Sequence, residues 1–189
     1  MMRELWKAGT VLYPLPVVMV SCGDFSVGEK NIITVAWTGT ICSDPAMLSV
    51  SIRPSRFSYD IIKRTGEFVV NLPTEELAFA ADWCGVKSGR DFDKFKEMKL
   101  TAEKGSFTNC PVIAESPVSI ECKVKDIIPL GSHDMFTAEV LGVSVDPKYL
   151  DEKGKFHFDE ANPICYSHGE YYTLGKNIGK FGYSVKKKK

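Results

Sequence analysis

The chain has 189 residues, with 24 basic and 24 acidic side chains, so its formal net charge at pH 7 is zero. Its 44% hydrophobic and 25% charged residues are typical of one globular domain, and we treat residues 1–189 as a single domain. The missing basic surplus argues against a nucleic-acid-binding protein, and no segment is long and apolar enough to span a bilayer. Met1–Thr10 also lacks the pattern of a secretory signal, which predicts a cytoplasmic location. The terminal run Lys186–Lys189 is interpreted as a solvated tail.

Six segments rich in Val, Ile and Phe predict β-strands, because each is bounded by Gly, Pro, Asp or Asn. They are Val17–Cys22, Ile32–Trp37, Met47–Ile52, Phe68–Asn71, Val118–Val124 and Phe136–Val145. Three helices are predicted: Ser58–Thr65 before Gly66, a helix capped by Thr74, and a charged one over Asp91–Lys99. A majority of antiparallel-type strands with a few short helices favours a closed or nearly closed barrel with helical insertions.

Two later segments are interpreted from their polarity. Asp146–Phe158 is predicted to be an exposed excursion around a Lys-Gly-Lys turn. The segment after Gly169 is rich in Gly and Lys, and is either a loose tail or an arm that packs on a partner subunit.

The six cysteines are widely and irregularly spaced and include no C-x-x-C pair, which predicts reduced thiols rather than disulfides. His133, His157 and His168 show no metal-ligand spacing, so no metal site is predicted. Cys42 and Cys165 are candidates for reactive thiols because they lie near the cofactor-binding segments described next.

The strand Met47–Ile52 runs directly into the basic, Ser-rich turn Arg53–Ser58, after which a helix begins. Hydroxyls, guanidinium groups and the free N–H groups of a helix N-terminus together suit a phosphate. Arg53 and Ser58 are the preferred phosphate contacts, with Ser51, Ser55 and Arg56 as further donors; Arg56 equally suits an outward orientation. The alternative reading is a solvated turn in which Ser58 only caps the helix.

The strand before this turn has side chains that suit the planar body of a nucleotide. Asn31 can pair with the donor and acceptors of a heterocyclic edge, and the backbone near Thr34 and Ala36 can add further hydrogen bonds. Trp37 can form a wall against such a ring, although a buried core tryptophan would show the same spacing. The segment 31–62 is therefore predicted to bind a phosphorylated, ring-bearing cofactor.

The ordered motifs N-x-x-T-x-A-W-x-G, beginning at Asn31, and S-I-R-P-S-R-x-S, beginning at Ser51, resemble the FMN-binding split-barrel proteins. Within them the chain is most similar to flavoredoxin and the flavin-reductase-like domains, with further matches at Asp91–Lys94, Gly131–Asp134 and Pro163–Tyr166. This resemblance implies a mainly β, Greek-key split barrel with helical insertions, a bound FMN rather than FAD, and a homodimer.

The resemblance also places Lys94, His133 and Tyr166 beside the isoalloxazine ring. Lys94 is expected to be an exposed ammonium, charged at any pH near neutral, that stabilises the reduced flavin. His133 is expected to act chiefly when protonated, and is the one candidate for a catalytic role. The full set of predicted cofactor-binding residues is Asn31, Thr34, Ala36, Trp37, Ser51, Ile52, Arg53, Ser55, Ser58, Lys94, His133 and Tyr166.

Three functions fit these observations. The first is an FMN-containing oxidoreductase of the flavoredoxin type that passes electrons through a retained flavin. The second is an NAD(P)H:flavin oxidoreductase that uses flavin as a substrate, and the third is a non-enzymatic FMN-binding protein. No G-x-G-x-x-G motif follows a strand, so the electron donor is either NAD(P)H bound transiently over the flavin or a redox protein.

Overall fold

The computed structural model describes residues 2–185; the predicted basic tail Lys186–Lys189 lies outside these residues. The strands are β1 (Leu15–Pro16), β2 (Val18–Cys22), β3 (Asn31–Val35), β4 (Thr38–Ser43), β5 (Ala46–Ile52), β6 (Glu67–Asn71), β7 (Ala102–Lys104), β8 (Pro111–Ile113), β9 (Val118–Pro129), β10 (Asp134–Val145), β11 (Ile164–Ser167) and β12 (Glu170–Thr173). The α-helices are α1 (Phe57–Thr65), α2 (Ala78–Val86) and α3 (Lys94–Glu97). No helix within residues 2–185 is long and apolar enough to cross a membrane.

Seven strands form the main sheet in the order β3-β2-β6-β9-β10-β5-β4, and every neighbouring pair is antiparallel. All six predicted strands lie in this sheet, so the mainly β class is confirmed. The sequence-based prediction missed one strand of this sheet, β4. Its sequence, Thr-Gly-Thr-Ile-Cys-Ser, is neither continuously apolar nor bounded by a clear turn.

The main sheet curls until its two ends approach each other. β3 and β4 are the terminal strands of the order, yet only Ala36 and Trp37 separate them along the chain. The backbone N–H of Ser51 on β5 donates to the carbonyl of Trp37 at 2.8 Å. This bond continues the β4–β5 ladder past Thr38, and β3 itself contacts β5 beyond the turn at Trp37. The β3 edge therefore lies back against β5, which is how an antiparallel sheet closes into a barrel.

The curled sheet buries apolar side chains on both faces. Inside it, Val20, Val50, Phe68 and Phe136 pack with Ile62 of α1, and each is at most 1% exposed. A second cluster on the outer face joins other strand residues to α2 and α3; its fully buried members are Met19, Ile32, Ala81, Cys84, Phe95 and Ile113. Because successive strand side chains point to opposite faces, a strand covered on both sides reads as a continuous apolar run.

The helix predictions need correction in detail. α1 begins at Phe57 with Arg56 as its N-cap, and it ends at Gly66, which adopts φ = 71° as predicted. Thr74 precedes a 3-10 turn that leads into α2, but its side chain makes no capping hydrogen bond. The third helix is much shorter than predicted, since Asp93 caps it by accepting from the Lys96 N–H at 3.2 Å.

A separate three-stranded sheet has the order β1-β11-β12. It brings Tyr166 of β11 opposite Leu15, and it includes the first residues after Gly169, where a loose tail or an arm was predicted. The stretch from Asp146 to Phe158 is largely exposed, as predicted, and contains a short 3-10 turn at Pro147–Tyr149.

Candidate functional site

Two adjacent cavities, of about 450 and 240 Å³, form one cleft at the place where the sheet closes. Ile33, Arg53, Arg56 and Gly85 line both cavities, so the two are continuous. All twelve residues predicted to bind a cofactor line one cavity or the other, which brings β3, the turn after β5, α3, the loop before β10 and β11 to one place. Their roles as cofactor contacts stay predictions. The combined size falls in the usual range for small-molecule sites.

The larger cavity is strongly cationic. Five basic side chains line it, and no carboxylate does: Arg53, Arg56, Lys87, Arg90 and Lys94. Within residues 2–185 none of these five belongs to an ion pair. The N-terminus of α1 opens at the same place and has no side-chain cap. Uncompensated cations beside free helix N–H groups suit an anion such as phosphate.

Asn31 and Ser58 are tied to each other. Asn31 Nδ2 donates to Ser58 Oγ at 2.7 Å, and the two residues are only 2% and 1% exposed. Ser58 lies inside the first turn of α1 and does not cap it, so the capping alternative is wrong. The bond fixes the start of β3 against the start of α1, because each end of it belongs to a different element.

Lys94 is buried, with only 4% of its surface exposed. Its Nζ donates to the carbonyls of Ile32 (2.8 Å) and Cys84 (2.7 Å), which leaves one of three N–H donors for the cavity it lines. Burial lowers the pKa of Lys94 from 10.5 to about 8. The prediction of an exposed lysine is therefore wrong, because α3 packs this side chain beneath β3. The predicted charge remains at pH 7 and is lost as pH rises through about 8, the pKa of this group.

The smaller cavity is aromatic, lined by Trp37, His133, Tyr166 and Tyr171. The rings of Trp37 and His133 are parallel within 2°, with centroids 6.3 Å apart, and Tyr166 lies 6.3 Å from Trp37. Burial lowers the pKa of His133, and the positive charges of Arg53 and Arg56 lower it further. His133 is therefore a neutral imidazole at pH 7, with a planar aromatic face available to a ring.

A hydrogen bond holds the loop that carries His133. Tyr59 of α1 donates its hydroxyl to Asp134 Oδ2 at 2.5 Å, and its ring packs edge-on against Phe136. Ser58 and Tyr59 are successive residues of α1. The same helix therefore positions both the turn Arg53–Ser58 and the loop that carries His133.

Several lining residues escaped the sequence analysis. Lys87, Ser88, Gly89 and Arg90 line the larger cavity from the loop between α2 and α3. A signal was available, because Lys-Ser-Gly-Arg has the same basic, Ser-rich character as the turn 53–58.

Two further residues, Asp82 and Tyr171, line the smaller cavity, and no local sequence pattern indicated either of them. Tyr171 donates to Asp82 Oδ1 at 3.1 Å, and burial, with Asp82 beside it, raises the pKa of Tyr171 to about 12. These residues are 89 positions apart, so only the fold brings them together.

Only one of the six cysteines lines this cleft. Cys84 lines the larger cavity, but burial raises the pKa of its thiol to about 11, so it is protonated at neutral pH. Cys42 and Cys165, the predicted candidates for reactive thiols, line neither cavity. All six thiols are free.

Comparisons with known proteins agree on one family. A family model described as the flavin reductase like domain matches residues 10–175. The chain superimposes on flavoredoxin of Desulfovibrio vulgaris (Miyazaki F) with a TM-score of 0.90 and 30% sequence identity, covering 98% of this chain and 100% of that one. This similarity confirms the predicted split-barrel fold.

Two sequence relatives extend the comparison. An uncharacterized protein of Archaeoglobus fulgidus is 31% identical over 147 residues, covering 78% of this chain and 81% of its own length. An NADH-dependent FMN reductase of Streptomyces nodosus subsp. asukaensis is 28% identical over 175 residues, covering 91% of this chain and 85% of its own. With a family model matching most of its length, the chain belongs to the flavin reductase-like family.

Proposed function

We propose that this protein binds FMN in the cleft and passes electrons through it as an FMN-dependent oxidoreductase. The observation that carries the proposal is the continuity of a cationic cavity without carboxylates and an aromatic cavity. FMN has the same polarity, with a phosphate at one end and a planar ring system at the other. FMN is preferred to FAD because FMN is the flavin in the name of the Streptomyces relative, an NADH-dependent FMN reductase.

The residues divide between the two ends of the cofactor. Arg53, Arg56 and Ser55, with the N–H groups that open α1, bind the phosphate. Trp37, His133 and Tyr166 contact the ring, with the backbone near Thr34 and Ala36 available to its polar edge. Asn31 lines the larger cavity instead, where its side chain is bonded to Ser58. Bound FMN supplies the hydride and electron chemistry, which none of these side chains provides.

Lys94 and His133 have different electrostatic roles in this assignment. Lys94 lines the larger cavity and not the smaller one, so its positive charge acts on the ring from the phosphate side, where it favours an anionic reduced flavin over a neutral oxidised one. His133 is neutral at pH 7 and contributes its aromatic face and hydrogen bonds instead. No residue in this arrangement needs to act as a nucleophile or a general base.

The cofactor assignment is tested on the purified protein. We expect a yellow protein whose absorbance spectrum is that of a flavin, and which releases FMN when denatured, as identified by chromatography. A colourless protein that fails to take up added FMN would refute the proposal, and release of FAD would correct the cofactor.

The electron donor separates two versions of the function. A retained flavin favours an electron carrier, and the five cations around the larger cavity support retention. The name of the Streptomyces relative, an NADH-dependent FMN reductase, supports the second version, in which flavin is a substrate. Mixing the protein with NADH or NADPH and excess FMN decides between them, because only a flavin reductase sustains turnover of free FMN.

We also propose that two copies of the chain associate. Large apolar side chains are exposed in both terminal segments, among them Leu5 (96% exposed), Trp6 (77%) and Phe181 (109%). Burying them against a second copy would remove this apolar surface from water. Light scattering at micromolar concentration should give the mass of a dimer, and a monomer mass would contradict the proposal.

A further inference from the structure

Arg90 occupies the wall of the larger cavity in a fixed position, although it lies in a loop. Its Nη1 donates to the carbonyl of Ser55 at 3.1 Å, and its guanidinium carbon lies 5.5 Å from the ring centroid of Phe57. Its backbone N–H donates to Ser88 Oγ at 3.2 Å. Ser55 and Phe57 flank Arg56, the N-cap of α1, so Arg90 is attached to the turn where the helix begins.

Gly89 allows this loop to come so close. A Cβ atom at position 89 would lie 2.1 Å from Asn31 Oδ1 and 2.7 Å from Phe57 Cδ1. Asn31 cannot easily give way, because it is buried and bonded to Ser58. The loop from Lys87 to Arg90 therefore rests directly on the start of β3 and the start of α1.

The guanidinium of Arg90 keeps most of its donors. Arg has five N–H groups, and the bond to Ser55 uses one of them. The stacking on Phe57 restrains the plane of the remaining fork, which lowers the entropy cost of binding a tetrahedral anion. No carboxylate lines this cavity, so nothing within it competes for these donors.

We propose that Arg90 is a binding residue for the flavin phosphate, and that the turn from Lys87 to Arg90 forms the phosphate site together with the Arg53–Ser58 turn on which it rests. The inference rests on the proposed function, since it names a phosphate contact of the same cleft. It predicts a protein that discriminates between phosphorylated and unphosphorylated flavin through this residue.

The test compares the dissociation constants of FMN and riboflavin, which differ only in the phosphate. Each is measured by fluorescence titration for the wild type and for Arg90→Ala, Arg90→Lys and Lys96→Ala. Lys96 is an exposed cation on neighbouring α3 that does not line the cavity, so Lys96→Ala controls for the loss of one positive charge. Circular dichroism checks that each variant is folded.

We expect Arg90→Ala to weaken FMN binding by about tenfold or more while riboflavin binding changes less than twofold. Arg90→Lys should give an intermediate loss for FMN, because the charge remains but the planar fork is lost. Lys96→Ala should leave both constants within twofold.

Other results would overturn the inference. Equal weakening of FMN and riboflavin by Arg90→Ala would mean that Arg90 only supports the loop, and an unchanged FMN constant would mean that the phosphate lies elsewhere. A wild-type protein that binds neither flavin would refute the proposed function itself, and with it this inference.

Discussion

Two polar regions of this molecule use their hydrogen-bonding groups in opposite ways. Beneath the loop 105–110, the carboxylate of Glu121 is 2% exposed and accepts from the N–H groups of Ser106, Phe107 and Thr108 and from the Thr108 hydroxyl. In the cleft, by contrast, five cations surround a cavity without any carboxylate. Both regions are rich in polar side chains. Only in the first are the charged atoms paired with hydrogen-bonding groups of the protein itself.

The side chain of Asn71 shows the same saturation in the sheet. It donates to the Met19 carbonyl and Ser21 Oγ, and accepts from the Ile113 N–H and Ser119 Oγ. Among residues 2–185, no buried side-chain nitrogen or oxygen lacks a partner. Polar groups that serve the fold are thus paired within it, whereas the cations of the cleft keep hydrogen-bond donors available to a ligand.

The largest expected effect breaks the saturated region. Glu121→Ala removes the acceptor of four hydrogen bonds and leaves their donors unpaired, so we expect a loss of about 3–4 kcal/mol in the free energy of unfolding. Urea denaturation measures this loss. Glu115→Ala is the matched control, because Glu115 accepts from only one backbone N–H, at an exposed site, and should cost less than about 1 kcal/mol.

FMN affinity, measured without urea where the variant is folded, tests whether the Glu121 region and the cleft are independent. In Glu121→Ala the folded fraction should bind FMN as the wild type does, since Glu121 lines neither cavity. A large loss of affinity in the folded protein would contradict the separation of the two regions.

The next effect acts on the cleft by steric crowding. Gly89→Ala places a methyl group against Asn31 and Phe57, so the loop from Lys87 to Arg90 must move outward. We expect FMN affinity to fall by about tenfold, equivalent to roughly 1.4 kcal/mol. Gly39→Ala is the control, because no atom lies within 4 Å of a Cβ there. Equal behaviour of the two variants would mean that the loop does not shape the site.

Ser58→Ala tests whether the Ser58 hydroxyl both stabilises the fold, through its bond with Asn31, and contacts the phosphate. The substitution leaves the buried Nδ2 of Asn31 without its acceptor, so we expect a loss of about 1–2 kcal/mol in stability even without flavin. If Ser58 also contacts the phosphate, FMN affinity should fall while riboflavin affinity does not. Unchanged stability would show that Asn31 finds another acceptor.

Lys94 should tune the flavin in a pH-dependent way. Below its pKa of about 8 the buried ammonium stabilises the anionic reduced flavin, so Lys94→Met should shift the two-electron midpoint negative by roughly 30 mV, or about 1.4 kcal/mol. Because the wild-type lysine loses its charge as pH rises above about 8, the difference between the proteins should shrink there. Redox titrations at pH 6.5, 7.5 and 9 measure this. A difference that is independent of pH would contradict a role for the charge.

The smallest expected effect concerns His133. Burial and the two neighbouring arginines lower its pKa below 6.5, so the imidazole is neutral at pH 7. His133→Ala should therefore leave the flavin midpoint nearly unchanged at pH 7.5 and shift it negative only in acid, where the wild-type imidazole is protonated. A clear shift at pH 7.5 would show that His133 acts through its neutral ring or a hydrogen bond.

Much of the cleft was predictable because its residues lie in two short, distinctive segments. Nine of the twelve predicted residues lie in the polar strand from Asn31 to Trp37 and in the segment from Ser51 to Ser58, and all twelve line the cleft. Lys94, His133 and Tyr166 came only from resemblance, since neither composition nor periodicity distinguishes them from surface residues.

The sequence by itself determined the strand-rich class, the C-terminal end of α1 and the basic, Ser-rich turn before this helix, since apolar runs, Gly66 and clustered Arg and Ser act locally. Only the tertiary structure decided what each polar group faces. It buried Lys94 beneath β3 and so lowered its pKa, paired Asn31 with Ser58, and placed Arg90 against Ser55. Solvation and hydrogen-bond partners depend on residues distant in the chain, and no local pattern encodes those distances.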